Sequence, residues 1–142
     1  METVSLDGKG TYTLIMHLKG GRKLRVGAIG EIYFEAGYYA YTGSALGSGG
    51  FSRIRRHLGV SAGLNRTRKW HIDYLLPYVE VVLTVTSVRP ECSVAKGIDA
   101  VLPRVTGFGC SDCRCQSHLH YSQALESMMA AVKKAHRVSG HI

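Results

Sequence analysis

A chain of 142 residues and 15.5 kDa is the size of one domain, so a single fold over residues 1–142 is expected. With 45% hydrophobic and 20% charged residues it can build its own core, which excludes the disordered, collagen-like and disulfide-scaffold classes. No apolar run approaches the roughly 18 residues of a membrane span. The opening Met1-Glu2-Thr3-Val4-Ser5-Leu6-Asp7 carries acids where a signal peptide is basic, so a cytoplasmic protein with no membrane partner is expected. The formal charge of +8 is unevenly spread: residues 1–50 hold five basic and four acidic side chains, residues 51–100 eight and four, and residues 101–142 five and two. Arg53, Arg55, Arg56, Arg66, Arg68 and Lys69 follow one another with no acid between them, the footprint of a surface that meets phosphates. A solvated basic face is the plainer reading of the same run.

In chain order, Thr11 to His17 alternates with Tyr12, Leu14 and Met16 on one face, which predicts a strand. Lys19-Gly20-Gly21-Arg22 is a hairpin turn signal. A return strand is expected from Lys23 to Ile29, broken by Gly27 and Gly30, then an extended piece from Ile32 to Phe34 and a turn at Glu35-Ala36-Gly37. Tyr38 to Thr42 is a further strand, with Tyr39 and Tyr41 on the same side. Glycines 43, 47, 49 and 50 lead out of it, and Phe51, Ile54 and Leu58 then recur at helical spacing. That helix is expected to stop at Gly59, with Arg53 and His57 one turn apart on its opposite flank.

Residues 59–69 read as a polar basic loop, Trp70 to Leu76 as a short apolar segment ended by Pro77, and Val79 to Val88 as a β-branched strand. Pro90-Glu91 opens a helix through about Leu102, the acid lying in the dipole-favoured first turn. A loop from Gly107 to Cys115 and a short segment around His118 to Tyr121 precede a last helix, capped by Ser122 and running to about Arg137. Leu125, Met128, Met129 and Val132 form its apolar stripe. The sum is an α+β fold with a central, mainly antiparallel sheet flanked by helices.

Two strand tyrosines, Tyr12 and Tyr41, followed by a helix bearing Arg53 and His57, are the strongest chemical pattern. With Gly10-Thr11-Tyr12-Thr13-Leu14, Gly37 to Ala45, Arg53 to His57, Trp70 to Leu76 and Gly107 to Leu119 taken in order, the chain resembles the GIY-YIG endonuclease superfamily, most closely its small stand-alone Uri-type branch. The resemblance implies divalent-cation-dependent hydrolysis of a phosphodiester, with DNA as partner and Mg²⁺ or Mn²⁺ as cofactor. Carried onto this sequence, it makes Tyr12, Tyr41, Arg53 and His57 the catalytic set and Glu91 the metal ligand, with Arg55, Arg56, Arg66, Arg68 and Lys69 holding the nucleic-acid backbone.

Each residue type has a reason to be there. Arg53 is permanently charged and can hold two phosphate oxygens. A single carboxylate plus waters is a common way to bind Mg²⁺. A phenol, with a pKa near 10 when free, deprotonates water only if cationic surroundings lower it. Tyr12 or Tyr41 would be that base, with His57 accepting or relaying the proton.

The chain departs from the family pattern in the long separation of Tyr12 from Tyr41, where residues 19–37 intervene. It also lacks the asparagine expected after the metal helix, Ser111 or Asp112 standing in that region. Asp73 is a rival metal ligand that His71 could assist.

Four cysteines without a secretory signal argue for reduced thiols. The run Cys110, Cys113, Cys115, His118, His120 has zinc-ligand chemistry, and a zinc site would use Cys113, Cys115 and His118. Without a second pair of knuckles, reduced cysteines bracing a loop are favoured over zinc. Two other functions stay open: a non-catalytic nucleic-acid-binding module of the same fold, and a zinc-stabilised interaction domain.

Overall fold

The alternation that begins at Tyr12 becomes β1 (Gly10–Leu18) in the computed structural model, which describes residues 10–45, 52–64, 71–105, 107–108 and 117–137. β1 lies inside a four-stranded antiparallel sheet ordered β5-β1-β4-β6, with β4 at Gly37–Ala45, β5 at Glu80–Ser87 and β6 at Leu119–Ser122. Having a neighbour on each edge and packing on both faces, it is almost wholly buried. A separate ribbon pairs β2 (Arg22–Val26) with β3 (Gly30–Phe34). The return strand stops at Val26 and not at Ile29, because Gly27 takes φ +47 and opens a 3-10 turn over Gly27–Ile29.

Helices cover both faces. On one, Tyr12, Leu14, Met16, Tyr39 and Tyr41 pack with Ile54 and Val60 of α1 (Ser52–Ser61), Ile72 and Leu75 of α2 (Ile72–Leu75), and Phe34 of the ribbon. On the other, Ile15, Ala40 and Val85 meet Val94 and Ile98 of α3 (Glu91–Asp99) and Met128 and Val132 of α4 (Leu125–His136). Period-two alternation in the strands feeds these two cores separately. The fold is therefore α+β, an antiparallel sheet flanked by helices. No helix among the described residues is long and apolar enough to cross a membrane.

Several boundaries differ from those expected. α1 runs through Gly59 to Ser61, and its buried face is Ile54, His57 and Val60, while Leu58 is 42% exposed. His57 thus sits on the core side and not on the outer flank. Pro77 lies within a 3-10 turn, Leu76–Tyr78, where its missing N–H costs nothing, and α3 ends at Asp99, short of Leu102. Ser122 is the last residue of β6. Its hydroxyl bonds the backbone of Ala124 at 3.0 and 3.2 Å, closing the turn before α4, which has no side-chain cap. Phe51, Trp70 and residues 65–69 of the basic loop lie outside the described residues.

A polar cluster ties α4 to the sheet. The buried His136 has Thr13 Oγ1 at 2.7 Å from Nε2 and Ser87 Oγ at 2.6 Å from Nδ1, and Thr13 Oγ1 lies 2.9 Å from Thr42 Oγ1 across the β1–β4 pair. Burial, assisted by the nearby charge of Arg89, lowers the His136 pKa to about 4, so the ring is neutral at physiological pH. A neutral imidazole donates from one nitrogen and accepts at the other, which suits two hydroxyl partners.

Unfolding restores an ordinary affinity for protons. Stability is therefore expected to be full above pH ~6.5 and to fall as pH drops towards about 4, since the unfolded chain binds the proton first. Denaturant titrations at a series of pH values measure this. His136→Gln should flatten the slope in that window by up to about 1.4 kcal/mol per pH unit.

Candidate active site

The site is assembled at one end of the sheet. In the β1–β4 register Tyr12 stands opposite Gly43, and a Cβ on Gly43 would lie 2.5 Å from the Tyr12 hydroxyl. Glycine leaves the room that lets the phenol lie across the neighbouring strand and reach α1. There the Tyr12 hydroxyl meets His57 Nε2 at 2.7 Å. Tyr41, on the same sheet face, has its ring centroid 6.5 Å from that of Tyr12 and 6.1 Å from that of His57, edge-on to the imidazole. One turn before His57, Arg53 donates from Nη1 to the backbone oxygen of Ser44 at 2.8 Å, which holds the guanidinium over the end of β4.

Glu91 reaches the same end from α3, whose first residue it is. Its Oε2 lies 3.2 Å from Nδ1 of the buried His118. His118 is fixed by its backbone, donating to Phe108 O and accepting from Thr42 N–H, both at 2.9 Å. On the reverse face the Thr11 hydroxyl donates to the carbonyl of Arg89, two residues before Glu91, pinning the entry to α3 against β1.

Electrostatics separate two groups that look alike in sequence. The Tyr12 phenol is pushed well above its ordinary pKa, first by burial and then by Tyr41 and the carboxylate of Glu91, with the charge of Arg53 pulling the other way. His57 is pushed down to about 4, first by burial, then by Arg56, with Arg53 adding to the fall and Asp73 opposing it. The pair is therefore a protonated phenol hydrogen-bonded to a neutral imidazole. At Tyr12 desolvation outweighs the lowering effect of the arginine.

The structure brings Tyr12, Tyr41, Arg53, His57 and Glu91 to one end of the sheet, where the charges of Arg53 and Glu91 both act on the Tyr12 phenol. Asp73 is directed elsewhere. Buried beneath α1, it receives Arg56 Nη1 and Nη2 at 2.9 and 3.0 Å, one on each carboxylate oxygen. Arg56 is thus bonded to a core carboxylate, and Arg55 is exposed. His71 packs on Phe108, with ring centroids 5.6 Å apart. Arg66, Arg68 and Lys69, together with Cys110, Ser111, Asp112, Cys113 and Cys115, lie outside the described residues.

Sequence reasoning missed the partnership of His118 with Glu91. A signal existed: His118 and His120 stand two positions apart, just before and within β6, and α3 carries an acid at each end. His120 Nε2 does lie 3.2 Å from Asp99 Oδ1.

Together these features define an α+β protein with a buried phenol–imidazole pair set beside a guanidinium and a carboxylate. The model of the family described as "Domain of unknown function DUF123" matches residues 11–141, and the chain belongs to that family. No curated protein and no solved structure matches the chain.

Because Tyr12 stays protonated, alkaline titration followed by tyrosinate absorbance should be the same for the wild-type protein and Tyr12→Phe up to pH about 11. A phenol missing from the variant's curve in that range would contradict the shift. The same substitution leaves the buried Nε2 without its hydroxyl partner and should cost about 1–3 kcal/mol in denaturant unfolding.

Proposed function

We propose that this protein is a divalent-cation-dependent endonuclease hydrolysing phosphodiester bonds in DNA. The observation that carries the reading is the convergence at one sheet end of Tyr12, Tyr41, His57, Arg53 and Glu91, drawn from β1, β4, α1 and α3. It agrees with what the GIY-YIG resemblance implies for those same five residues.

Tyr12 and His57 are buried, whereas Arg53 and Glu91 each keep part of their surface in solvent. The scissile phosphate would therefore be met from the side of Arg53 and Glu91. Arg53 neutralises charge that grows on the phosphoryl oxygens, and Ser44 O fixes its direction beforehand. Tyr12 does not need to ionise. Its hydroxyl takes a proton from the attacking water while handing its own to His57 Nε2, a neutral acceptor already 2.7 Å away. Tyr41, 9% exposed and edge-on to the imidazole, closes the opposite side of the pair and keeps water from solvating it.

Glu91 would hold the cation. It is one carboxylate, oriented by His118. That donor set fits an ion that keeps most of its own water, as Mg²⁺ does. Bound there, it would supply positive charge opposite the leaving oxygen.

The burial of Tyr12 and His57 favours one other reading, a module of this fold that binds nucleic acid without turnover. The two part in a plasmid-relaxation assay. With Mg²⁺ or Mn²⁺ the protein should nick supercoiled DNA, and a chelator should stop it. Arg53→Ala and Glu91→Gln should each lower nicking by at least about 10²-fold with unchanged circular dichroism. Salt-sensitive binding with no relaxation in either cation would leave the binding module.

A further inference from the structure

The β2–β3 ribbon lies in the segment that separates the two tyrosine strands, and nothing in the proposed chemistry uses its outer face. Its inner face is accounted for: Val26 and Phe34 are buried, and Leu24 and Ile32 pack against the same core as Tyr12 and Tyr41. Lys23, Arg25, Glu31 and Tyr33 point outward and are exposed. Between Lys19 and Tyr33 the chain has four cations and one acid. In the register Lys23 stands directly opposite Tyr33, and Arg25 opposite Glu31.

Tyr33 is 62% exposed, far more than a strand tyrosine that serves packing alone. It does not stand out into water. A Cβ on Gly21 would fall 2.2 Å from its hydroxyl and 3.0 Å from Cζ, so the ring leans back along the ribbon and rests against bare backbone at Gly21. One flank of the ring is thereby supported, while much of its surface stays open to solvent.

Gly21 also lines a cleft of about 240 Å³ together with Lys19, Arg22 and Tyr78. At its wall the Arg22 guanidinium sits 4.3 Å from the centre of the Tyr78 ring. Enclosed pockets for drug-sized ligands run to about 300–1,000 Å³, so a cleft of this size suits one base or one phosphate of a longer strand. An open ring resting on Gly21, with Lys23 and Arg25 on its face of the ribbon and Lys19 and Arg22 at the adjoining cleft, has the ingredients of a sequence-tolerant track for unpaired bases, which stack on rings while cations follow the backbone.

We propose that the outer face of the β2–β3 ribbon and the cleft beside it at Gly21 bind a single-stranded segment of nucleic acid, with Tyr33 as the stacking ring, Lys23 and Arg25 on that face and Lys19 and Arg22 at the cleft as phosphate contacts. This deepens the nuclease reading and rests on it for the class of partner. The ribbon and the site are mechanically joined: Phe34 meets Phe108 at 6.4 Å between centroids, and Phe108 meets Tyr41 at 6.2 Å. A strand held on the ribbon is thus anchored to the body that carries Tyr41.

The test is fluorescence anisotropy of the full chain with a labelled oligothymidylate and with a duplex of equal length. The single strand should bind more tightly. Tyr33→Ala should weaken it about tenfold, while Tyr33→Phe, which keeps the ring, binds as wild type. Lys23→Ala with Arg25→Ala should weaken both ligands and flatten the salt dependence by about one to two phosphate contacts. Both sites are exposed, and unchanged circular dichroism verifies the fold. Unaltered single-strand affinity in Tyr33→Ala overturns the proposal, as does binding of anionic phosphatidylserine vesicles in place of the oligonucleotide. If Tyr33→Ala loses the single strand while no plasmid is nicked, the ribbon site stands and the nuclease reading falls. Nicking with a silent Tyr33→Ala gives the reverse.

Discussion

The phenol of Tyr12 and the imidazole of His57 are each placed where burial alone would be costly, and the hydrogen bond between them makes the placement tolerable. A helix that presents a histidine to the core, one turn after an arginine and between Ile54 and Val60, needs a hydrogen-bond partner on the sheet surface beneath it. Tyr12 supplies that partner only because Gly43, its cross-strand neighbour, has no side chain to block the ring. One 2.7 Å contact thereby ties β1 to α1 beside β4, between two groups whose burial sets their protonation states.

The opposite face of the same strands repeats the device with different chemistry. There His136 closes the C-terminal end of α4 onto Thr13 and Ser87, and Thr13 continues to Thr42. Tyr12 and Thr13 are successive residues pointing to opposite sides of β1, so each face of one strand holds a buried, neutral histidine. Between these two anchors the turn at Arg89 is held, with the Arg89 carbonyl taken by Thr11 and its guanidinium by the Ala135 carbonyl. Glu91 follows two residues later, so the reach of its carboxylate towards Tyr12 is set by contacts on both faces.

Charge in this molecule is sorted by burial and partner more than by sequence clustering. Within one helix Arg53 keeps to the sheet end, Arg55 faces solvent and Arg56 is drawn to the buried Asp73, although the three are nearly adjacent. A buried carboxylate without a cation would be strongly destabilising, so Asp73 claims the arginine that geometry offers. The ribbon shows the converse, where Lys23 and Arg25 stay in water because the alternation of β2 directs Leu24 and Val26 inward.

Much was legible without coordinates. The alternation of Tyr12, Leu14 and Met16, the aromatic run from Tyr38 to Tyr41, the β-branched run after Val79 and the stripe from Leu125 to Val132 yielded the strands, the last helix and the α+β class. The resemblance to the GIY-YIG superfamily implied the five side chains that gather. Periodicity and residue type are local properties of the backbone, and so they survive reading from one chain. What tertiary structure alone decided were the inward facing of His57, the diversion of Arg56 to Asp73, the pairing of Glu91 with His118, and the raised pKa of Tyr12. Each depends on desolvation and on partners 17 to 79 positions away in sequence, set by how α1, α2, α3 and β6 dock on the sheet. Electrostatic energy follows distance in space, which the order of residues does not contain.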